Sequence, residues 1–301
     1  MFLRLLKSEF YRARKQKNPY ILLVFLLLAV LLTCLVLIKF DFLSPIGIDR
    51  DTYVALTAEG NSMEGIDDAV QLGTMLGSEI DSETEIIGKG IFYDADVNTL
   101  FNMVVAELDV LLLLTIFIGI FIGDIFSMGI EKNLVICNNK RSTLFLARAT
   151  VIAIYALILH VFSFIFTIIS VGIMGNGITF DWNKYTVGYL FLSYLLTVAF
   201  GIVIYAVTVA TKSKAAGITI GVILSTGALA SIISVANWYL VNKFDLKSDF
   251  SIANYFITEN LVTLGVPFTS TQATRAIVVS VVFIAAAVAV IMSLNKKRDI
   301  V

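Results

Sequence analysis

Nearly uninterrupted apolar sequence recurs six times along the chain, roughly at Tyr20–Phe40, Val104–Phe126, Ala149–Met174, Tyr185–Ala210, Ala215–Ala236 and Ala276–Leu294. Each stretch approaches or exceeds the ~20 helical residues that cross a hydrocarbon core of about 30 Å. A water-soluble helix of that length would alternate an apolar stripe with a polar face, and these have almost none. The pattern predicts an all-α polytopic membrane protein with six transmembrane helices. Residues 1–19 form a connector, 20–40 the first span, 41–103 a long loop, and 104–126 the second span. Residues 127–148 form a second loop, followed by spans at 149–174, 185–210 and 215–236. Residues 237–272 form a further loop or re-entrant element, and 276–294 the last span.

Charge orients this array. Before the first span stand Arg4, Lys7, Arg12, Arg14, Lys15 and Lys17 against one acid, Glu9. Lys132, Lys140, Arg141 and Arg148 lie between the second and third spans, Lys212 and Lys214 between the fourth and fifth, and Lys296, Lys297 and Arg298 in the tail. An alternating chain puts all of these on one side, which the positive-inside rule makes the cytoplasm. Both termini are then expected inside a plasma membrane. The opposite side receives 41–103, rich in acids such as Asp49, Asp51, Asp67, Asp68, Glu79, Asp81, Glu83 and Glu85, with Arg50 and Lys89 opposing. Such a surface would concentrate a cationic ligand, or simply keep an external loop solvated.

Composition agrees: 301 residues, 58% hydrophobic and 15% charged, with a mean hydropathy of +0.90. These values exclude an ordinary water-soluble domain. Cys34 falls in the first span and Cys137 in a polar loop, so a disulfide between them is not expected, and no zinc-ligand spacing occurs.

The connectors carry the remaining information. Residues 1–17 read as an amphipathic helix, with Phe2, Leu3, Leu5, Leu6, Phe10 and Ala13 on one side. Arg4, Lys7, Arg12, Arg14 and Lys15 gather on the other, toward headgroups or a partner. Asn18-Pro19 breaks it. In 127–148, Leu134, Val135 and Ile136 rimmed by Glu131, Lys132 and Arg141 read as a docking strip. Between the last two spans, Leu261–Val266 is apolar but too short to cross and fits a re-entrant or surface helix. Gly217-Ile-Thr-Ile-Gly221 is a GxxxG that permits close helix approach, within the bundle or between subunits.

Catalytic motifs are missing. The sequence contains no GxxxxGK[ST] phosphate loop, GxSxG or HExxH, so no enzymatic activity, metal or nucleotide is assigned to this chain. Nothing points to nucleic acid. The single histidine, His160, sits inside the third span, where it is a candidate pathway residue or a polar helix–helix contact. Glu107, Asp109 and Asp124 flank the second span and read as groups that reach the interface.

The stretch Gly129-Ile-Glu-Lys-Asn-Leu, followed by Lys140-Arg-Ser-Thr-Leu-Phe-Leu-Ala-Arg, resembles the ABC-2 type permeases. The resemblance rests on Gly129, Lys132-Asn133, Arg141 and the basic Arg148. Ile130 and Arg148 depart from the threonine and lysine frequent in that family. The opening Leu-Leu-Lys-Ser-Glu-Phe-Tyr-Arg before Asn-Pro is also similar. The long acidic loop resembles permeases of the bacitracin-resistance and lantibiotic-immunity type. The resemblance implies a type V exporter-like architecture in which two permease copies or homologues pair in the lipid membrane. Separate ATPase subunits would carry ATP and Mg. Gly129, Glu131, Lys132, Asn133, Arg141 and Arg148 would couple to that ATPase, braced by Arg4, Lys7, Arg12 and Arg14, while an amphipathic peptide, antibiotic or lipid-like substrate leaves outward. The alternatives are a self-contained secondary transporter or channel, which needs mid-membrane ion sites, and a membrane sensor whose acidic loop binds a ligand.

Overall fold

The computed structural model describes residues 2–39, 97–106, 109–127, 141–174, 179–180, 182–226, 228, 230–244 and 251–297. Among them every regular element is helical: α1 (Phe2–Lys15), α2 (Asn18–Lys39), α3 (Val97–Ala106), α4 (Asp109–Ser127), α5 (Arg141–Met174), α6 (Lys184–Thr211), α7 (Lys214–Ser225), α8 (Ala230–Phe244), a 3-10 turn (Ile252–Tyr255), α9 (Ile257–Thr263) and α10 (Ser270–Lys297). Five of these, α2, α4, α5, α6 and α10, are long and apolar enough to cross a membrane.

The way α2 is buried shows what surrounds the bundle. Leu22, Leu26, Val30, Cys34 and Ile38 recur every fourth residue and are buried, mostly against α5. The rest of the helix is equally apolar but exposed, including Val24, Phe25, Leu28 and Leu32. Water would make that outward face a large penalty, at about 25 cal/mol per Å² of apolar surface. Lipid removes the penalty, so the burial pattern is that of a helix with protein on one stripe and acyl chains on the others. Helix α4 is the contrast. It packs against α2, α5, α6 and α7 and is buried on most sides, the central post of the molecule. The structure is therefore a polytopic α-helical membrane protein.

Three predicted elements differ in extent. The stretch 104–126 is covered by the end of α3 and by α4, with Glu107 and Leu108 outside the described residues. The third helix begins at Arg141 rather than near 149 and runs for 34 residues, roughly 50 Å at 1.5 Å per residue. Its first two turns are thus a continuation of the basic loop. The stretch 215–236 is not one helix. α7 ends at Ser225, its C-cap Thr226 donating its N–H to Val222 O, and α8 starts at Ala230. The Thr-Gly-Ala sequence at 226–228 weakens propagation there, since glycine carries the largest helix penalty after proline.

Local chemistry sets the joints. Lys212 adopts a left-handed conformation (φ 52°) after α6, and Ser213 caps α7 by accepting from Ala216 N at 3.3 Å. Two residues therefore suffice to reverse the chain. Asn183 caps α6, its Oδ1 accepting from Tyr185 N (2.9 Å) and Thr186 N (3.0 Å). Several hydroxyls inside the apolar helices are satisfied within their own helix, as Thr167 on Ser163 O, Thr197 on Ser193 O, Thr208 on Ile204 O and Ser280 on Ala276 O. Hydrocarbon offers them no other acceptor.

The bundle has two ends. α1 marks one, the basic end, with the α4 C-terminus, the α5 start and the α6–α7 turn. The far end collects α3, the α6 N-terminus and residues 252–275. There Arg275 donates from Nε to Asn260 Oδ1 (3.1 Å) and from NH1 to Asn254 Oδ1, while Asn260 Nδ2 donates to the Asn254 (2.8 Å) and Phe256 (2.7 Å) carbonyls. Gln272 Nε2 reaches Thr263 O at 3.2 Å. Of the apolar segment predicted at 261–266, the first three residues end the seven-residue helix α9, whose Ile257, Asn260 and Leu261 are buried, and 264–266 are not helical. Lys214, at the start of α7, is paired at the basic end, and Asn237 of α8 accepts from Ile252 N at 3.0 Å at the far end.

Candidate functional site

Glu9, Arg12, Asp124, Arg148 and Lys214 at the basic end belong to one cluster, which α1 helps to build. Glu9, Arg12, Ala13 and Gln16 share a helix face through their i, i+3, i+4 and i+7 spacing. Ala13 is small enough to bring that face against the bundle, and it is buried. Glu9 is buried to 3% exposure. Its Oε2 pairs with Arg12 NH2 at 2.8 Å, and its Oε1 accepts from Arg148 Nε at 3.2 Å. Arg148 is equally buried. One carboxylate therefore holds two guanidiniums, one from its own helix and one from the second turn of α5.

Arg12 continues the link to α4. Its NH2 donates to the Phe121 carbonyl at 3.2 Å and its guanidinium stands 4.3 Å from the centre of the Phe121 ring. One turn on, Gln16 Nε2 donates to Asp124 Oδ2 at 3.4 Å, and Lys214 Nζ of α7 pairs with Asp124 Oδ1 at 3.1 Å. Phe117, stacked on Phe121 and Tyr155, walls the cluster from the apolar interior, and Tyr155 Oη donates to Pro19 O at 3.2 Å. Burial pulls the Arg12 guanidinium down to about 10; the adjacent Glu9 resists that shift and Arg148 adds to it. Arg12 stays cationic at neutral pH.

Chemically this is an ionic latch. It contains no activated nucleophile, and among the described residues no group of His, Cys, Asp and Glu is placed to hold a metal. The Glu9–Arg148 pair is desolvated, so removing either partner would strand a charge. Mechanically the latch joins α1 to the helix that ends at Ser127 and to the helix that starts at Arg141, the two flanks of the segment 128–140.

The sequence-selected residues divide as follows. Arg12 and Arg148 are in the latch. Arg12 therefore leaves the exposed basic face to which helical periodicity assigns it, because its neighbour Glu9 supplies a buried counter-charge. Arg4, Lys7 and Arg14 remain exposed on α1. Arg141 opens α5. Gly129, Glu131, Lys132 and Asn133 lie outside the described residues, as do Cys137, Glu107 and residues 40–96 of the acidic loop. His160 is apart from the latch, buried between α5 and α6, with Nε2 3.2 Å from Ser193 Oγ and its ring edge-on to Phe101 and Tyr194. It is a polar contact between two helices.

Glu9, Gln16, Asp124 and Lys214 escaped selection as site residues. A signal existed for the first: Glu9 is the one acid among the basic residues that precede the first span. Which distant cation it meets is not encoded in any local pattern. No protein-family model matches this chain, and no curated protein matches it. The fold and the latch thus define it as a polytopic helical membrane protein with an ion-paired N-terminal helix.

Proposed function

We propose that this chain is the membrane-spanning subunit of an ATP-driven exporter of the ABC-2 kind, working as a pair of permease subunits with a separate ATPase. The single observation that carries the reading is the grip of α1 on both flanks of segment 128–140: Glu9 on Arg148 after it, and Arg12 and Gln16 on Phe121 and Asp124 before it. A segment that docks on a moving ATPase must pass its displacement to the membrane helices, and a brace across its two flanks turns a loop movement into a helix movement. The motif-like residues Gly129, Lys132, Asn133 and Arg141 are the docking group on this reading, and ATP and Mg belong to the partner. The distribution of Lys and Arg supports placing the basic end in the cytoplasm. The broken α7–α8 passage supports a sixth crossing that returns the C-terminus to the same side. The cargo proposed is an amphipathic peptide, antibiotic or lipid-like molecule, in keeping with apolar walls and an acidic external loop.

The test is co-expression of the chain with the ATPase encoded nearest its own reading frame. Lys132→Glu combined with Arg141→Glu is expected to abolish ATPase co-purification while leaving membrane insertion and the thermal unfolding temperature unchanged. Vectorial transport by the isolated chain in ATP-free liposomes would sink the proposal. So would retention of the ATPase by the doubly reversed variant.

A further inference from the structure

We propose that the elbow between α1 and α2 binds one acyl chain of an anionic glycerophospholipid, with Arg14 holding the headgroup phosphate. A cavity of about 320 Å³ opens there, lined by Phe10, Leu23, Phe117, Ile154 and Ile158 among others, with Arg14 as its one charged wall residue. That volume is at the lower end of the roughly 300–1,000 Å³ typical of small-molecule pockets, and an almost wholly apolar lining selects hydrocarbon.

Three observations choose the bilayer as its source. The lip is formed by Phe10 and Tyr20, both exposed, and passes directly into the exposed apolar face of α2 at Ile21, Val24 and Phe25. The opening is thus continuous with the lipid-facing surface. Arg14 is exposed, and among the described residues no carboxylate lies within ion-pair range of it, whereas its neighbour Arg12 is bound by Glu9. Lys7 lies two turns before Arg14 on the same side of α1 and is also exposed. Finally, α1 runs into the crossing helix α2 through Gln16–Lys17, so the elbow sits where headgroups meet acyl chains. An acyl chain in the cavity would touch both Phe117 and the α1 face that carries the latch. This inference needs only a membrane protein and stands apart from the transport reading.

The experiment is native mass spectrometry of the full chain, delipidated in detergent and titrated with dioleoyl phosphatidylglycerol or dioleoyl phosphatidylcholine. One phosphatidylglycerol per chain is expected to bind about fivefold more tightly than phosphatidylcholine, the ratio set by one basic group at a membrane surface. Arg14→Gln should erase the preference, weakening phosphatidylglycerol binding more than phosphatidylcholine binding. Ile154→Trp, which fills the cavity, should remove binding of both lipids; Ile158→Phe serves the same purpose if the tryptophan variant unfolds. Excess inorganic phosphate should not displace the bound lipid. Equal binding of the two lipids by the unmodified chain would overturn the proposal. Unchanged phosphatidylglycerol binding in Arg14→Gln or in the folded cavity-filled variant would do the same, as would displacement by phosphate, which marks a headgroup-only site.

Discussion

Glu9 shows how one side chain can decide where a helix lies. A carboxylate buried to 3% exposure is costly unless it is paired, and here it is paired twice, by Arg12 and Arg148. Glu9→Leu leaves two guanidiniums facing each other in the same dry space. It is expected to lower stability by roughly 3–5 kcal/mol, read as a fall in the unfolding midpoint in detergent. Glu9→Leu with Arg148→Met should recover a substantial part of that loss, and strictly additive single effects would contradict the latch. At the far end, burial holds the Glu259 carboxyl above its ordinary range. The folded chain then keeps that proton to a higher pH than the unfolded chain. Stability falls as pH rises through the interval between the two values. Glu259→Gln should therefore be more stable than the unmodified chain at pH 7 and indistinguishable from it below about pH 4, the ordinary carboxylate value, when melting curves are compared across pH.

At the scale of elements, the close crossing of α7 with its neighbours depends on glycine. A Cβ at Gly221 would collide with the Thr115 side chain of α4, and one at Gly217 with that of Thr208 on α6. Gly119 and Gly123 of α4 face Ile218 and Lys214 in the same way. The GxxxG was legible as a close-approach signal, but its two glycines turn to different helices of the same chain, which the motif alone does not say. Gly221→Ala is expected to cost about 1–3 kcal/mol by overpacking, and Thr115→Ala in the same molecule should return part of it in an unfolding assay. Helix identity was legible because apolar length and the lack of a polar face are local properties. Helix ends were less so. α5 reaches back to Arg141, and in its first turns Leu144, Phe145 and Ala147 are buried, Phe145 stacked on Tyr205 of α6; the stretch 215–236 is broken after Ser225 where small residues replace aliphatic ones.

For the whole molecule, the basic end and the acidic loop make a vectorial expectation. With Cys34 and Cys137 replaced by alanine, Ser62→Cys should react with an impermeant maleimide on intact cells, and Ser8→Cys only after permeabilisation; the reverse pattern would invert the orientation assigned by charge. The sequence by itself determined that this chain is helical, that it lives in lipid and which of its segments are basic. Those properties follow from transfer free energies summed along a chain, which need no partner residue to evaluate. Tertiary structure alone decided that Glu9, Arg12 and Arg148 meet, that Lys214 closes on Asp124, and that an apolar cavity of about 320 Å³ opens at the elbow of α1 and α2. Each of these depends on residues brought together from separate helices. Charge complementarity can favour such a meeting, but only the packing of the helices sets the distance at which it happens.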